Sequence, residues 1–298
     1  MRLRLGDRFL DLSGKPPLIM GILNLNDDST ASSLTLRTLG AQIDYALRLC
    51  EEGADIIDVG AESGRTDRPP RTAAQERELI TPLVEELARR DVLVSVDTWK
   101  PEVAAAAVDA GAALVNDVSG LADPALADVA ARSGAGLVIM HTAAAPKEER
   151  FPGYEDPMAD VLAFLRRRMI MARDRGVGEE QIVLDPGPDF AKTPEETVAV
   201  LRRLPELQAL GRPVLLAVSR KYFIGAITGR EPEDRLAGTL AAVGCGVDAG
   251  AAIVRVHDVA DTRDYLELRR VLSGTGEVPI RGDLDDARLK WLPAPPEE

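Results

Sequence analysis

The length, composition and charge of this chain exclude several classes of protein. Its 298 residues, of which 45% are hydrophobic, suffice for one large core or two ordinary ones, and no linker-like composition divides them. A net charge of -13 argues against a nucleic-acid surface.

Neither the apolar runs nor the cysteines point to a membrane or secreted protein. No run approaches the roughly 18 residues of a membrane span, and no segment resembles a signal-peptide core. Cys50 and Cys245 lie far apart, without the spacing of a zinc site or disulfide framework. We therefore predict a cytoplasmic protein with no membrane partner.

The N-terminal residues predict a β-hairpin. In LRLGDRFLDL, two short alternating runs flank Gly6 and Asp7, a pair typical of a tight turn. We expect this hairpin to close the bottom of a larger structure.

Eight apolar runs then follow, most of them separated by a helix-length amphipathic segment. They are LIMGILN (18–24), ADIIDVG (54–60), VLVSVDT (92–98), ALVNDVS (113–119), GLVIMHT (136–142), IVLDPG (182–187), VLLAVS (214–219) and AIVRVHD (252–258). Four begin with nearly the same phrase, in which a glycine ends a helix and an apolar strand starts: EEGADIIDV, DAGAALVND, RSGAGLVIM and DAGAAIVRV.

This repetition predicts an α/β fold, the (β/α)8 TIM barrel, preceded by the hairpin. The alternative is a doubly wound open sheet, but no GxGxxG follows the first strand. We place one barrel domain at residues 1–274. The Pro-rich, acidic residues 275–298 are predicted to form a surface or disordered tail.

Polar side chains stand where the apolar runs end, which is the rim where such barrels bind ligands. They are Asn24, Glu62, Asp97, Asn116, Asp117, His141, Asp185, Ser219, Arg220, Lys221, Arg255, His257 and Asp258. Two turn-rich stretches, NDDSTASSLT and ESGRTDRPPRT, follow the first two strands and are expected to lie over the ligand.

The chemistry of the rim favours a flat polar ring that carries an anionic group. Asp97, Asn116 and Asp185 are acceptors for ring N–H groups, and Lys221 stands beside aromatic residues just past a strand. Arg255 and His257, at i and i+2, could hold a phosphate or pyrophosphate. A nucleotide or sugar phosphate is the alternative ligand, and magnesium could accompany the anion through Asn24 or an aspartate.

Eight segments together resemble the dihydropteroate synthase family, over residues 16 to 272. They are MGILNLNDDS, DIIDVGAES, SVDTWKPEVA, NDVSG, MH, DPGPDF, SRKYFIG and RVHDV. The resemblance implies a homodimeric, magnesium-assisted transferase of folate biosynthesis. Such an enzyme joins 6-hydroxymethyl-7,8-dihydropterin pyrophosphate to the aryl amine 4-aminobenzoate.

The resemblance also implies roles for individual residues. Asp185 would hold the amino-pyrimidine edge of the pterin, with Asp97 and Asn116 on its opposite side and Lys221 against its ring. Asp97, Lys221 and Arg255 would be catalytic, and Arg255, His257 and Asn24 would take the pyrophosphate and metal. Further substrate contacts are implied at Met140, Phe190, Arg65 and Ser219.

The chain departs from the family in its first and second loops. The pattern NxTPDSF is NLNDDST here, GGESTRPG begins GAESGRT, and SRKSF has become SRKYF with Tyr222. These changes fall where the aryl amine would enter, and a rebuilt subsite can change partner preference. The alternatives are a pterin-binding paralogue with another amine partner or without synthase activity, and a methyltetrahydrofolate methyltransferase.

Overall fold

The computed structural model describes residues 1–25, 37–62 and 69–278. Arg65, most of the two altered loops and the predicted tail from residue 279 lie outside the described residues. Two compact units are distinguished, Met1–Arg263 and Asp264–Glu298. The predicted domain boundary at residue 274 stays a prediction.

Ten strands form a two-stranded hairpin and an eight-stranded parallel sheet within the described ranges. They are β1 (Arg2–Leu5), β2 (Arg8–Asp11), β3 (Leu18–Asn24), β4 (Ile56–Gly60), β5 (Val94–Asp97), β6 (Leu114–Asp117), β7 (Gly136–Met140), β8 (Ile182–Asp185), β9 (Leu215–Leu216) and β10 (Ile253–Val256). The sheet order is β8-β7-β6-β5-β4-β3-β10-β9. A bridge between Leu184 and Val214 joins the two ends, so the predicted barrel is confirmed and the open sheet is excluded.

Helices follow the barrel strands, as predicted. They are α1 (Leu39–Glu52), α2 (Ala73–Arg89), α3 (Pro101–Asp109), α4 (Ala125–Ser133), α5 (Pro157–Asp174), α6 (Pro194–Arg202), α7 (Tyr222–Thr228), α8 (Leu236–Asp248) and α9 (Val259–Leu272). Short 3-10 segments cover Glu179–Gln181, Leu204–Leu210 and Pro232–Asp234. No helix in the described part of the chain is long and apolar enough to cross a bilayer.

The glycines of the repeated phrase have the backbone conformation that the sequence predicted. Gly53, Gly111, Gly134 and Gly250 have φ of 111°, 111°, 77° and 89°, the left-handed region that a side chain disfavours. Each lies at the end of a helix and lets the chain reverse directly into the next strand.

The hairpin closes the bottom of the barrel. Leu3 and Leu5 are buried and belong to one cluster with the first inward side chains of the barrel strands. That cluster also contains Met20, Ile56, Leu114, Val138, Val183, Leu215, Ala217 and Ile253. The N-terminal end of the barrel is therefore an apolar floor, which leaves the opposite end for chemistry.

The strand predicted at 214–219 is shorter in the structure. Only Leu215 and Leu216 pair with β10, and strand pairing with β8 is limited to the bridge at Val214. Arg220 then has φ of 56°, which turns the chain toward α7. Beyond its two paired residues, the run is therefore buried by packing and not by strand pairing.

Candidate active site

Strand alternation builds the mouth of the barrel directly on the apolar floor. Residues at i and i+2 face the same side of a strand, so each floor residue fixes the side chain that stands above it. By this rule the layer over Ile56, Leu114, Val138, Val183 and Ile253 contains Asp58, Asn116, Met140, Asp185 and Arg255. Five strands thus change from apolar to polar or sulfur-bearing side chains two residues beyond their floor residues.

Arg255 is the centre of a hydrogen-bonded ion cluster in this layer. Its Nε–H donates to Asp58 Oδ2 at 2.6 Å and its NH2 group donates to Asp97 Oδ2 at 2.8 Å. Asn116 Nδ2 donates to the same Asp58 oxygen at 3.1 Å. Asp58, which is fully buried, is thus the residue that ties the predicted Asn116 and Arg255 together.

Sequence reasoning missed Asp58 because it lies inside the apolar run ADIIDVG. A signal was present, since a strand whose Ile56 faces the floor must turn residue 58 inward as well. Its second oxygen, Oδ1, is buried and has no hydrogen-bond partner in the described part of the chain.

Burial makes the two predicted carboxylates of the mouth unusually basic. Loss of solvation raises the pKa of Asp97 to about 7, because the neighbouring Arg255 only partly offsets the burial and the charge of Asp58. Loss of solvation likewise raises the pKa of Asp185 to about 6, against the hydrogen bond that Gly187 N–H donates to Asp185 Oδ1 at 2.7 Å. Both carboxyls can therefore change protonation near neutral pH.

Lys221 is a second cation of the mouth, just beyond β9. Its Nζ lies 4.2 Å from the centre of the Phe190 ring. Burial lowers its pKa, and the charges of Asp189 and Asp185 act in the opposite direction. Asp189 was not predicted; besides facing Lys221, it accepts a hydrogen bond from Phe223 N–H at the start of α7, at 3.2 Å.

Ser219 and His257 form a pair at the ends of β9 and β10. Ser219 Oγ lies 2.9 Å from His257 Nδ1 and accepts a hydrogen bond from the His257 backbone N–H at 3.2 Å. Burial, together with the charge of Arg255, lowers the pKa of His257 to about 4. His257 is consequently a neutral hydrogen-bonding group at pH 7, and Arg255 is the cation of the predicted anion site.

Asn24 lies beside Asp97 across a glycine. β4 separates their strands, and a Cβ added at Gly60 would lie 3.5 Å from Asn24 Oδ1 and 3.3 Å from Asp97 Cβ. Within the described ranges no group of three or more His, Cys, Asp or Glu residues could hold a metal ion. Asn24 Oδ1 is thus an uncharged oxygen close to the Asp97 side chain.

Several predicted rim residues serve the scaffold instead. Asp117 accepts hydrogen bonds from Ser119 N–H at 2.8 Å and Leu121 N–H at 2.6 Å in its own loop. Arg220 pairs with Asp258 at 2.5 Å. Glu62 binds Lys100 at 3.0 Å and Lys147 at 3.1 Å.

Three other residues that the sequence singled out have different surroundings. Met140 is buried and pairs in register with Asp185. Tyr222, the departure at the start of α7, is 65% exposed. His141 is fully buried and bonded to Asp160 and to Lys192, a lysine that sequence reasoning missed.

Comparison with known proteins identifies the family to which this chain is similar. Residues 20–257 match the model described as pterin binding enzyme. Dihydropteroate synthase of Bacillus subtilis is 41% identical over 263 residues, covering 88% of this chain and 90% of the relative. A probable bifunctional folylpolyglutamate synthase/dihydropteroate synthase of Haloferax volcanii is 39% identical over 244 residues. The match covers 82% of this chain but only 29% of that longer protein.

Solved structures agree in fold and in sequence. Xanthomonas albilineans dihydropteroate synthase with 4-aminobenzoic acid has a TM-score of 0.84 and 39% identity, covering 94% of this chain and 100% of that one. The same enzyme in complex with 7,8-dihydropteroate has a TM-score of 0.82, with the same identity and coverage. The chain belongs to the dihydropteroate synthase family of pterin-binding enzymes.

Proposed function

We propose that this protein is a transferase that condenses 6-hydroxymethyl-7,8-dihydropterin pyrophosphate with 4-aminobenzoate and releases pyrophosphate. The observation that carries the proposal is the mouth, in which Arg255 donates to Asp97, the Gly187 N–H holds Asp185, and the Lys221 ammonium lies against the Phe190 ring. Relatives named dihydropteroate synthase, similar over most of both chains, favour this activity over a paralogue without it.

Pterin recognition would use the carboxylates and amide of the polar layer. Asp185 presents an ionised carboxylate above pH 6, and such a group accepts two parallel N–H donors from an amino-pyrimidine edge. Asp97 and Asn116 are register neighbours on β5 and β6, so they lie together and would take the other side of the same ring. Lys221 adds a donor for a ring carbonyl or ring nitrogen.

The transfer step would break the carbon–oxygen bond to pyrophosphate and form a carbon–nitrogen bond to the amine, which then loses a proton to water. The bond electrons leave with the pyrophosphate, and Arg255 stabilises the negative charge that develops there. Asp97 stabilises the positive charge that develops on the pterin methylene. The amine needs chiefly to be held in line, beside Phe190 and Lys221.

Magnesium is the proposed companion of the pyrophosphate. When bound, it would neutralise part of the charge on the leaving group. The described residues fit this use, because Asn24 Oδ1 offers an uncharged oxygen close to Asp97 and Mg²⁺ keeps most of its ligands from water and phosphate.

We also propose that the protein is a cytoplasmic homodimer. An apolar groove of about 620 Å³ lies between α6, α7 and α8, and its lining includes the small residues Ala241, Ala242 and Gly246. Small side chains let a second helix surface approach closely. This groove is the proposed dimer surface.

The test is pyrophosphate release by the purified protein with the pterin pyrophosphate and magnesium, with and without 4-aminobenzoate. We expect release to require the amine. Lys221→Ala and Asp185→Asn are each expected to lower kcat/KM at least a hundredfold, because each removes a group that meets the pterin. Lys15→Ala and Asp7→Asn, at exposed positions near the hairpin, are the matched controls and should retain wild-type rates.

Two outcomes would contradict the proposal in different ways. Tight binding of the pterin pyrophosphate without amine-dependent release would show a pterin-binding paralogue. Wild-type rates in both Lys221→Ala and Asp185→Asn would show that the reaction uses other residues.

A further inference from the structure

Lys192 is a fully buried lysine whose ammonium is satisfied by three acceptors. Only 1% of the residue is exposed. Its Nζ donates to the carbonyl oxygens of Gly187 at 2.8 Å and Phe190 at 3.1 Å, and lies 2.7 Å from His141 Nδ1. Burial lowers the pKa of Lys192 to about 7, although the charge of Asp185 raises it, so the side chain is held here against a desolvation cost that its three acceptors offset.

The two carbonyls belong to the loop that carries the proposed pterin and amine contacts. Gly187 donates its own N–H to Asp185 Oδ1 at 2.7 Å, and the Phe190 ring lies under the Lys221 ammonium. Lys192 therefore binds the carbonyls of the two residues, Gly187 and Phe190, whose N–H and ring meet Asp185 and Lys221.

The backbone of this loop adopts a conformation that is unfavourable for some of its own residues. Gly187, Asp189 and Ala191 have φ of 63°, 63° and 51°, and two of these three residues have side chains that disfavour that region. A Cβ at Gly187 would lie 2.1 Å from the His141 carbonyl oxygen, so the loop also packs tightly against the end of β7. Such a conformation persists only where the surroundings fix it.

We propose that Lys192 is a positioning residue for the transfer reaction: by holding the Gly187 and Phe190 carbonyls it fixes the Asp185 carboxylate and the Phe190 ring in their binding geometry. This inference rests on the proposed function. A displacement of about 1 Å in such a group can lower a rate a hundredfold.

The third partner extends the support to the protein surface. His141 accepts from Lys192 at Nδ1, so Nε2 carries the ring proton and donates to Asp160 Oδ1 at 2.8 Å. Burial, with the charge of Lys192, lowers the pKa of His141 to about 4, which keeps the ring neutral as this arrangement requires. The other charged groups around Lys192 are Asp185, Lys221 and Glu196.

The experiment compares Lys192→Met with Gln181→Met. Gln181 is equally buried and donates from Nε2 to the carbonyls of Ala130 at 2.8 Å and Ala135 at 2.7 Å, at the opposite end of the chain segment that contains β8. Both variants should be less stable in urea unfolding. Only Lys192→Met is expected to raise the KM and the calorimetric Kd for the pterin pyrophosphate, each at least tenfold; Gln181→Met should stay within twofold.

A double variant tests whether Lys192 acts through Asp185. In the Asp185→Asn background, Lys192→Met is expected to weaken pterin binding by less than threefold, because the group it positions is already altered. Should Lys192→Met not fold, Lys192→Gln, too short to reach all three acceptors, is expected to raise Kd at least threefold.

Binding measured without the amine separates this inference from the proposed function. If the wild type binds the pterin pyrophosphate and Lys192→Met binds it equally well, or if Gln181→Met weakens binding as much as Lys192→Met, the positioning role is overturned. If the wild type binds the pterin pyrophosphate but releases no pyrophosphate when 4-aminobenzoate is added, the proposed function fails. The binding comparison still decides the role of Lys192.

Discussion

Opposite charges alternate around the mouth, and this alternation explains how so many can be buried. Arg255 lies between Asp58 and Asp97, whose negative charges raise its pKa although burial lowers it. Side-chain exposures of 18% for Arg255 and 21% for Asp97 show that the mouth still admits water. The site is thus dry enough to strengthen electrostatic interactions and open enough to admit a substrate.

Asp185 should make the unliganded protein less stable as pH rises. Its pKa is raised from 3.8 to about 6 in the folded protein, so its contribution is complete below pH 3.8 and is lost as pH rises through about 6. This shift corresponds to about 3 kcal/mol. We therefore expect Asp185→Asn to have a higher free energy of unfolding than the wild type. This advantage should be about 1 kcal/mol larger at pH 7.5 than at pH 5.

Urea unfolding of both proteins at the two pH values, without ligand, gives this difference. A difference that is constant with pH, or that shrinks as pH rises, would show that burial does not raise the pKa of Asp185. The same variant is expected to bind the pterin pyrophosphate more weakly, though still measurably, so stability and function change in opposite directions at one residue.

Residue positions were predictable from sequence where a polar side chain ends an apolar run. That rule found Asp97, Asn116, Asp185 and Arg255. It could not separate the mouth from scaffold pairs such as Arg220 with Asp258, because both follow strand ends and only side-chain direction distinguishes them.

At the scale of elements, the hairpin is a structural plug that should be separable from the mouth. Leu5 is 1% exposed in the floor cluster, so Leu5→Ala leaves a cavity there and is expected to lower the free energy of unfolding by about 3 kcal/mol. The Kd for the pterin pyrophosphate should stay within twofold, because the polar layer rests on barrel strands.

Phe9→Ala is the matched control for this prediction. Phe9 lies on β2 of the same hairpin but is 47% exposed, with the Arg2 guanidinium 4.5 Å from its ring centre. Its loss is expected to lower the free energy of unfolding by less than about 1.5 kcal/mol. Equal losses in both variants would mean that the hairpin does not seal the floor.

Elements were predictable because each βα unit repeats the same local signals. These signals are the glycine of the repeated phrase, the apolar strand and the helix cap, and they all indicate the same fold. Thr193 is an example of the cap, since its side chain accepts from Glu196 N–H at the start of α6. The pairing of β9 was not predictable. Its apolar run predicts burial, but how many residues pair depends on how the sheet ends meet.

At the scale of the molecule, the net charge constrains how two copies could associate. A charge of -13 on each chain makes close approach unfavourable unless the surface buried is apolar. The groove between α6, α7 and α8 meets that condition, and Ile227 on its border is 66% exposed. Its lining is apolar along Leu201, Leu204 and Ile224.

A carboxylate placed in the groove should separate the two copies. Ile227→Asp adds a charge that a second copy would have to bury without a partner, and we expect the sedimenting mass to fall from twice 32.0 kDa to 32.0 kDa. Ile170→Asp makes the same change at a residue that is 50% exposed on α5, outside the groove, and should remain dimeric. A wild type that sediments as a monomer, or two variants that both remain dimeric, would remove the groove as the dimer surface.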